Sequence, residues 1–206
     1  VPVEAAYNSG TEEFVILESI IDEYLTLNLS SSGVQARVVP DREHVIKSLV
    51  SNGKNKFMNS VMVPRGSRVK GEIGLIGSEE TLISTNIILI GMETEIETKL
   101  VGAWFLSIFG QLQLEFHGVS QEGMRKLEVN TVARVRYPDL TKIKRNQANK
   151  LIQLFLEEES IFFKDIKIRE IDRVWAEIVF PEEPDVLLSE AFDIFQELVD
   201  YRIGLG

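Results

Sequence analysis

Hydrophobic and polar positions along the chain change texture twice. Two apolar stretches open it, residues 14–29 and 34–39. In the first, Leu17, Ile21, Tyr24 and Leu25 recur near helical spacing, yet the run Phe14-Val-Ile-Leu17 suits a strand equally well, so that stretch stays ambiguous. From Phe57 the pattern turns to short β-branched runs. It predicts strands over residues 60–63 and 71–76 with a turn at 64–67 between them, and another over 82–90, bounded by Gly77 and Gly91. A helix is predicted over 98–109, with Leu100, Val101, Trp104, Phe105 and Ile108 forming a heavily apolar face. A glycine-bearing loop over 116–124 and short strands at 127–129 and 133–135 should follow. Beyond Pro138 the chain reads as almost wholly helical. Thr141 is an N-cap candidate for a helix to about Glu158, with Ile143, Leu151, Leu154 and Phe155 inward. A second helix is predicted over 168–180, with Ile168, Ile171, Trp175 and Ile178 on one stripe, and a third from Pro184 to Ile203 that Gly204 could end. The outline is a mixed α/β body over residues 1–140, its first fifty residues poorly assigned, and a helical tail over 141–206.

Composition narrows the function. Hydrophobic residues make up 44% of the chain, with 11 Phe and 2 Trp, which is enough for a true core. With no Cys, disulfide frameworks, zinc ribbons and thiol nucleophiles are excluded, and a reducing, cytoplasmic setting is expected. No apolar run reaches bilayer length. Val1 rather than Met at the head predicts a fragment or a processed chain. A net charge of −10 argues against nonspecific coating of nucleic acid, but the charge is unevenly spread. Residues 1–50 carry 3 basic and 8 acidic side chains, residues 51–150 carry 14 and 10, and residues 151–206 carry 5 and 14. A polyanion would therefore meet the middle segment, and the acidic tail would face water or protein.

Catalytic signatures are weak. Gly71-x-x-Gly74-x-x-Gly77 lacks the following helix and Lys-Ser/Thr pair of a phosphate loop and reads as strand glycines. The loop Gly118-Val-Ser120-Gln-Glu-Gly123 is one residue too long for a nucleophile elbow. His44 and His117, the only histidines, lack partners with metal-ligand spacing. Pro138-Asp139 with Asp165-Ile-Lys167 can be aligned to a Mg²⁺-dependent nuclease pattern. The intervening segment reads as a charged helix, however, with Asp139 at its N-terminus, where a carboxylate is favoured electrostatically. No catalytic residue, metal or cofactor is expected.

Four motifs follow one another along the chain: Asn59-Ser-Val-Met-Val-Pro-Arg-Gly-Ser-Arg-Val-Lys-Gly-Glu-Ile-Gly74; Ile83-Ser-Thr-Asn-Ile-Ile-Leu89; Ala103-Trp-Phe-Leu-Ser-Ile-Phe-Gly-Gln111; and the Gly118 to Gly123 loop leading to Tyr137-Pro-Asp-Leu140. In this order they resemble the target-recognition domains of type I restriction–modification specificity subunits and related N6-adenine DNA methyltransferases. In the tail, Arg169-Glu-Ile-Asp-Arg173 and Glu197-Leu-Val-Asp-Tyr-Arg202 are similar to segments ending many such methyltransferases. The likeness covers roughly residues 55–203. It implies a partly barrel-like α/β recognition domain followed by a helical segment for spacing or protein docking. Methyl transfer or cleavage would belong to another domain or subunit.

On that reading the chain binds double-stranded DNA sequence-specifically and orients it for a partner methyltransferase or endonuclease. A homodimer stays open. The turn after the first strand offers Arg65, Arg68 and Lys70; Lys54 and Lys56, with Asn52 and Asn55, precede it; Gln113, Gln121, Arg125 and Lys126 belong to the second loop region. Arg can grip guanine bidentately or a phosphate, and Gln can pair with adenine. A second basic run includes Arg134, Arg136, Lys142, Lys144, Arg145 and Lys150, and a solvated helix face explains it better. The competing class is a protein-interaction module whose basic loops are incidental.

Overall fold

The computed structural model describes residues 5–8, 13–16, 58–77, 86–158 and 160–204. The chain divides into two compact units, one of Val1–Phe57 with Glu79–Ile83 and the other of Met58–Ser78 with Ser84–Gly206. In the first, β1 (Ala5–Asn8) and β2 (Glu13–Ile16) form an antiparallel pair, so the ambiguous run at Phe14 is a strand to Ile16. The rest of the two apolar stretches lies outside the described residues.

The second unit begins with β3 (Ser60–Pro64), where alternation buries Val61 and Val63. It is flanked by β6 (Gly74–Ile76) and β7 (Ile87–Gly91), both antiparallel, with Val61 opposite Leu75 on one side and Ile90 on the other. The strand expected over 71–76 is broken at Ile73: β5 (Lys70–Glu72) leaves to pair with β10 (Ser160–Phe162). A short β4 (Gly66–Ser67) joins β9 (Met124–Lys126), which in turn pairs with β8 (Val119–Gln121). The mixed α/β class is thus borne out, and among the described residues the strands form small open antiparallel sheets, none closed into a barrel.

Helix α1 (Glu95–Leu106) starts at Thr94, whose Oγ1 accepts from Glu97 N at 3.2 Å while Thr94 N donates to the Glu97 carboxylate at 3.0 Å. The single helix expected over 98–109 is in fact two. Ser107, extended at φ −66°, ψ 162°, both closes α1 and caps α2 (Ile108–His117). Its hydroxyl donates to Trp104 O at 2.7 Å, and the fully buried Asp172 carboxylate accepts from Ile108 N at 2.8 Å. At this elbow a Cβ on Gly110 would lie 2.2 Å from Trp104 O, so no side chain fits there.

After β9, the strands expected at 127–129 and 133–135 give way to a turn of helix, α3 (Val129–Val132). A 3₁₀ turn (Leu140–Lys142) capped by Asp139 precedes α4 (Arg145–Glu157), so the helix expected from Thr141 starts a turn later, with Leu151 and Phe155 buried. Helices α5 (Glu170–Val179) and α6 (Pro184–Gly204) complete the fold, with Pro184 at the head of α6 as its sequence suggests. The segment after Pro138 is not purely helical, because β10 lies within it. Its helices share one core with α1 and α2. Trp104 stacks on Phe109 at 5.6 Å and meets the fully buried Trp175 edge-on at 5.1 Å. No described helix is long and apolar enough to cross a membrane.

Candidate nucleic-acid interface

Backbone pairing brings the two candidate loops into one three-stranded sheet. Gly66 faces Lys126 and Ser67 faces Arg125 across β4 and β9; Val119 faces Lys126 and Gln121 faces Met124 across β8 and β9. Arg65 fastens the corner, donating from N to Asn86 O at 2.9 Å and accepting from Leu127 N at 2.7 Å. Strand side chains alternate, so this register sorts the residues into two faces. Ser67 and Arg125 turn inward and are buried. Gly66, Lys126, Val119, Gln121 and Met124 turn outward. A Cβ on Gly66 would sit 3.1 Å from Met124 Sδ, so the glycine makes room for that side chain.

The β8–β9 turn is Glu122-Gly123, with φ of 50° and 74°. Two consecutive positive φ values match the twist of a two-residue hairpin, but only the second residue is a glycine. Glu122 therefore holds a left-handed conformation that costs a residue with a Cβ about 1 kcal/mol. Asn tolerates this region better, so Glu122→Asn should stabilise the chain by about 0.5 kcal/mol. Thermal denaturation checks it: a lower midpoint would mean that Glu122 contributes a contact beyond its backbone.

The outward set is only part of the sequence-based one. Arg68 is exposed and makes no ion pair among the described residues. Gln121 and Lys126 are exposed as well. Arg65, half-exposed, pairs with Glu128 at 2.6 Å, and Lys70 pairs with Glu72 at 2.5 Å. Lys54 and Lys56 lie outside the described residues. Gln113 has other work: it accepts from Arg136 N at 2.8 Å and donates to Arg136 O at 2.9 Å, clamping the segment that leads to Tyr137. Arg125 is corrected most plainly, since it is 2% exposed and cannot reach a ligand outside the protein.

Beneath the sheet, Arg125 belongs to a buried ionic cluster. Its Nη1 meets the Glu115 carboxylate at 3.3 Å and its Nη2 donates to Gln111 Oε1 at 3.0 Å. Arg202, from α6 and 3% exposed, pairs with the other Glu115 oxygen and donates to Gly123 O at 2.6 Å. Both guanidiniums lie against the Phe163 ring, at 5.3 and 4.8 Å from its centre. Two cations share one carboxylate. Burial depresses the Arg125 guanidinium to about 10, Arg202 adds to that, and Glu115 opposes it. The glycine and glutamine of the recognised motifs meet here: a Cβ on Gly71 would lie 2.3 Å from Gln111 Oε1, and Gln111 Nε2 donates to Phe105 O at 2.8 Å. These motif residues build the platform under the sheet.

The acidic pair considered for metal chemistry has a structural occupation at one end. Asp139 accepts from Thr141 N at 3.1 Å and Thr141 Oγ1 at 2.6 Å, and these bonds with nearby Lys142 hold its carboxyl below the usual carboxylate range. No group of three or more Asp, Glu or His is arranged to hold a metal among the described residues. Of the second basic run, Lys142 pairs with Asp139 and Lys150 with Glu170. An open cleft of about 440 Å³ lies alongside, lined in part by Trp104, Arg136, Tyr137, Lys142 and Val179.

Sequence reasoning missed the outward Gly66, Val119 and Met124. The available signal was the alternation of Val-Ser-Gln and Met-Arg-Lys on either side of Glu-Gly, which spells a two-residue hairpin.

Comparison with known proteins agrees with the resemblance drawn from the motifs. A family model described as the specificity domain of the restriction endonuclease BpuSI matches residues 6–171. The crystal structure of the type IIG restriction endonuclease BpuSI is similar to this chain in fold, with a TM-score of 0.73 at 23% identity. That match covers 97% of this chain and 23% of the enzyme, so the chain spans under a quarter of the enzyme's length. A search of curated proteins gave no match.

Proposed function

The chain belongs to the specificity-domain family of the restriction endonuclease BpuSI, and from that premise we propose that it reads duplex DNA sequence through the β4–β9–β8 face. The observation that carries this reading is that Gln121 and Lys126 stand exposed on one face of a sheet whose framework is fixed from below, with the exposed Arg68 next in the chain after β4. A short antiparallel ribbon fits the major groove, about 12 Å wide, where Gln pairs with adenine, Arg with guanine, and an apolar side chain such as Val119 with the thymine methyl. Lys126 supplies phosphate attraction. Catalysis falls to a partner methyltransferase or endonuclease, and residues 141–206, whose inner faces belong to the body's core, dock or space the module through their outer surface.

Selection of duplexes from a random pool, followed by salt titration, tests the proposal. The wild-type chain should enrich a motif and lose affinity steeply with salt as counterions are released. Arg68→Ala combined with Lys126→Ala should weaken binding to the enriched duplex by about tenfold or more and shallow the salt slope by about 2, with the thermal midpoint unchanged. Unaltered affinity in that double variant would remove the face from the interface.

The protein-interaction reading is favoured by α6, whose surface carries exposed Val186, Ile194 and Tyr201 amid Asp185, Glu190, Asp193, Glu197 and Asp200. An absent motif with a flat salt response would point there.

A further inference from the structure

The recognition hairpin is anchored by a residue almost eighty positions away. A two-residue turn with a non-glycine at positive φ has no strong local reason to hold one shape, and β8 is an edge strand with every side chain exposed. Yet the carbonyl at its tip, Gly123 O, is held by Arg202 Nη1 at 2.6 Å. The same guanidinium is fixed by the Glu115 carboxylate from α2 and lies over the Phe163 ring, next to β10. Arg125, the inward residue of β9, is held by the second oxygen of that carboxylate. One carboxylate thus grips the hairpin twice, directly through Arg125 and at the turn through Arg202.

We propose that Arg202 is a positioning residue for DNA readout: it sets the turn at Gly123 and thereby the placement of Gln121 and Lys126 on the outer face. The inference rests on the recognition reading above. Arg202 itself is buried and touches no DNA, so its loss should alter which duplex is preferred and leave general attraction to phosphates intact.

Arg202→Met is the discriminating variant. It keeps an apolar stem on Phe163 and leaves Glu115 with one cation, Arg125, so a folded chain is expected. The probes are the duplex enriched by the wild-type chain and a random duplex, and amide hydrogen exchange over Gln121–Lys126 is read alongside. The expected result is about a tenfold loss of preference for the enriched duplex. Affinity for the random duplex should stay within about twofold, and turn amides should exchange faster. Preserved preference, or unchanged exchange at the turn, overturns the proposal. If Arg202→Met fails to fold, Arg202→Lys serves with the same readouts, since lysine keeps the charge by Glu115 without the fork that spans two acceptors. If the wild-type chain enriches no duplex, the recognition reading falls, and the exchange at the turn still decides whether Arg202 holds the hairpin.

Discussion

Glutamine in place of Glu115 is expected to cost about 3–5 kcal/mol of folding stability, because it leaves two buried guanidiniums facing each other with no anion between them. The Glu115 side chain is 4% exposed, and the two arginines are buried as deeply, so water cannot take over its role. Urea unfolding should show a lower midpoint with an unchanged slope. The control is Arg125→Met, which leaves a one-to-one Glu115–Arg202 pair and should cost clearly less. If Arg125→Met proved the more damaging of the two, the excess-charge account of this cluster would be wrong, and the packing of Arg125 on Phe163 would matter more.

Asp172→Ala should be nearly as severe, at about 3–4 kcal/mol. This carboxylate accepts from Ile108 N and Arg169 N, both at 2.8 Å, and from Arg169 Nε at 3.2 Å. It therefore serves the first turns of α2 and α5 together, where unpaired N–H groups and the helix dipole favour an anion. Arg169 completes the joint by donating to Leu106 O at 2.6 Å and pairing with Glu158 at 2.7 Å. Burial raises the Glu158 carboxyl against the opposing pull of Arg169. Because the Ser107 elbow orients Trp104 against Trp175, near-ultraviolet circular dichroism should change along with stability. A loss below about 1 kcal/mol would mean that the elbow is held by packing alone.

The two joints explain which parts of the fold the sequence could reveal. β3 and α6 were legible because Val61 and Val63 alternate and because Pro184 marks a first turn. The elbow was not, since Trp104, Phe105, Leu106, Ile108 and Phe109 are all buried and the apolar run passes through it without a change of period. Its signs were Ser107 and Gly110, whose meaning depends on Asp172, more than sixty residues on. β10 has only three residues, too few for alternation to register, and it exists because β5 offers an edge. Strands were expected near Val129 and Val135 on β-branched content, which is a weak guide outside a sheet.

At the candidate interface, Arg125 and Lys126 look interchangeable in sequence, and only the pairing register separates a buried cluster member from an exposed cation. Gln113 likewise reads as a free amide until the Arg136 backbone is brought alongside it. Charge and the order of the motifs pointed to these loops. Assigning each residue its direction required the sheet.

That alternation has a consequence for altering the hairpin. The side chains of Val119, Gln121, Met124 and Lys126 make no hydrogen bond among the described residues, so each can be exchanged while the joint below keeps its partners. Adding one residue inside β9, between Met124 and Arg125, would be a different kind of change. The residues beyond it would change faces, swinging Arg125 into the open and turning Lys126 inward. As far as the fold is concerned, composition on the outer face can drift, whereas the length of the strand can change only in steps that preserve parity.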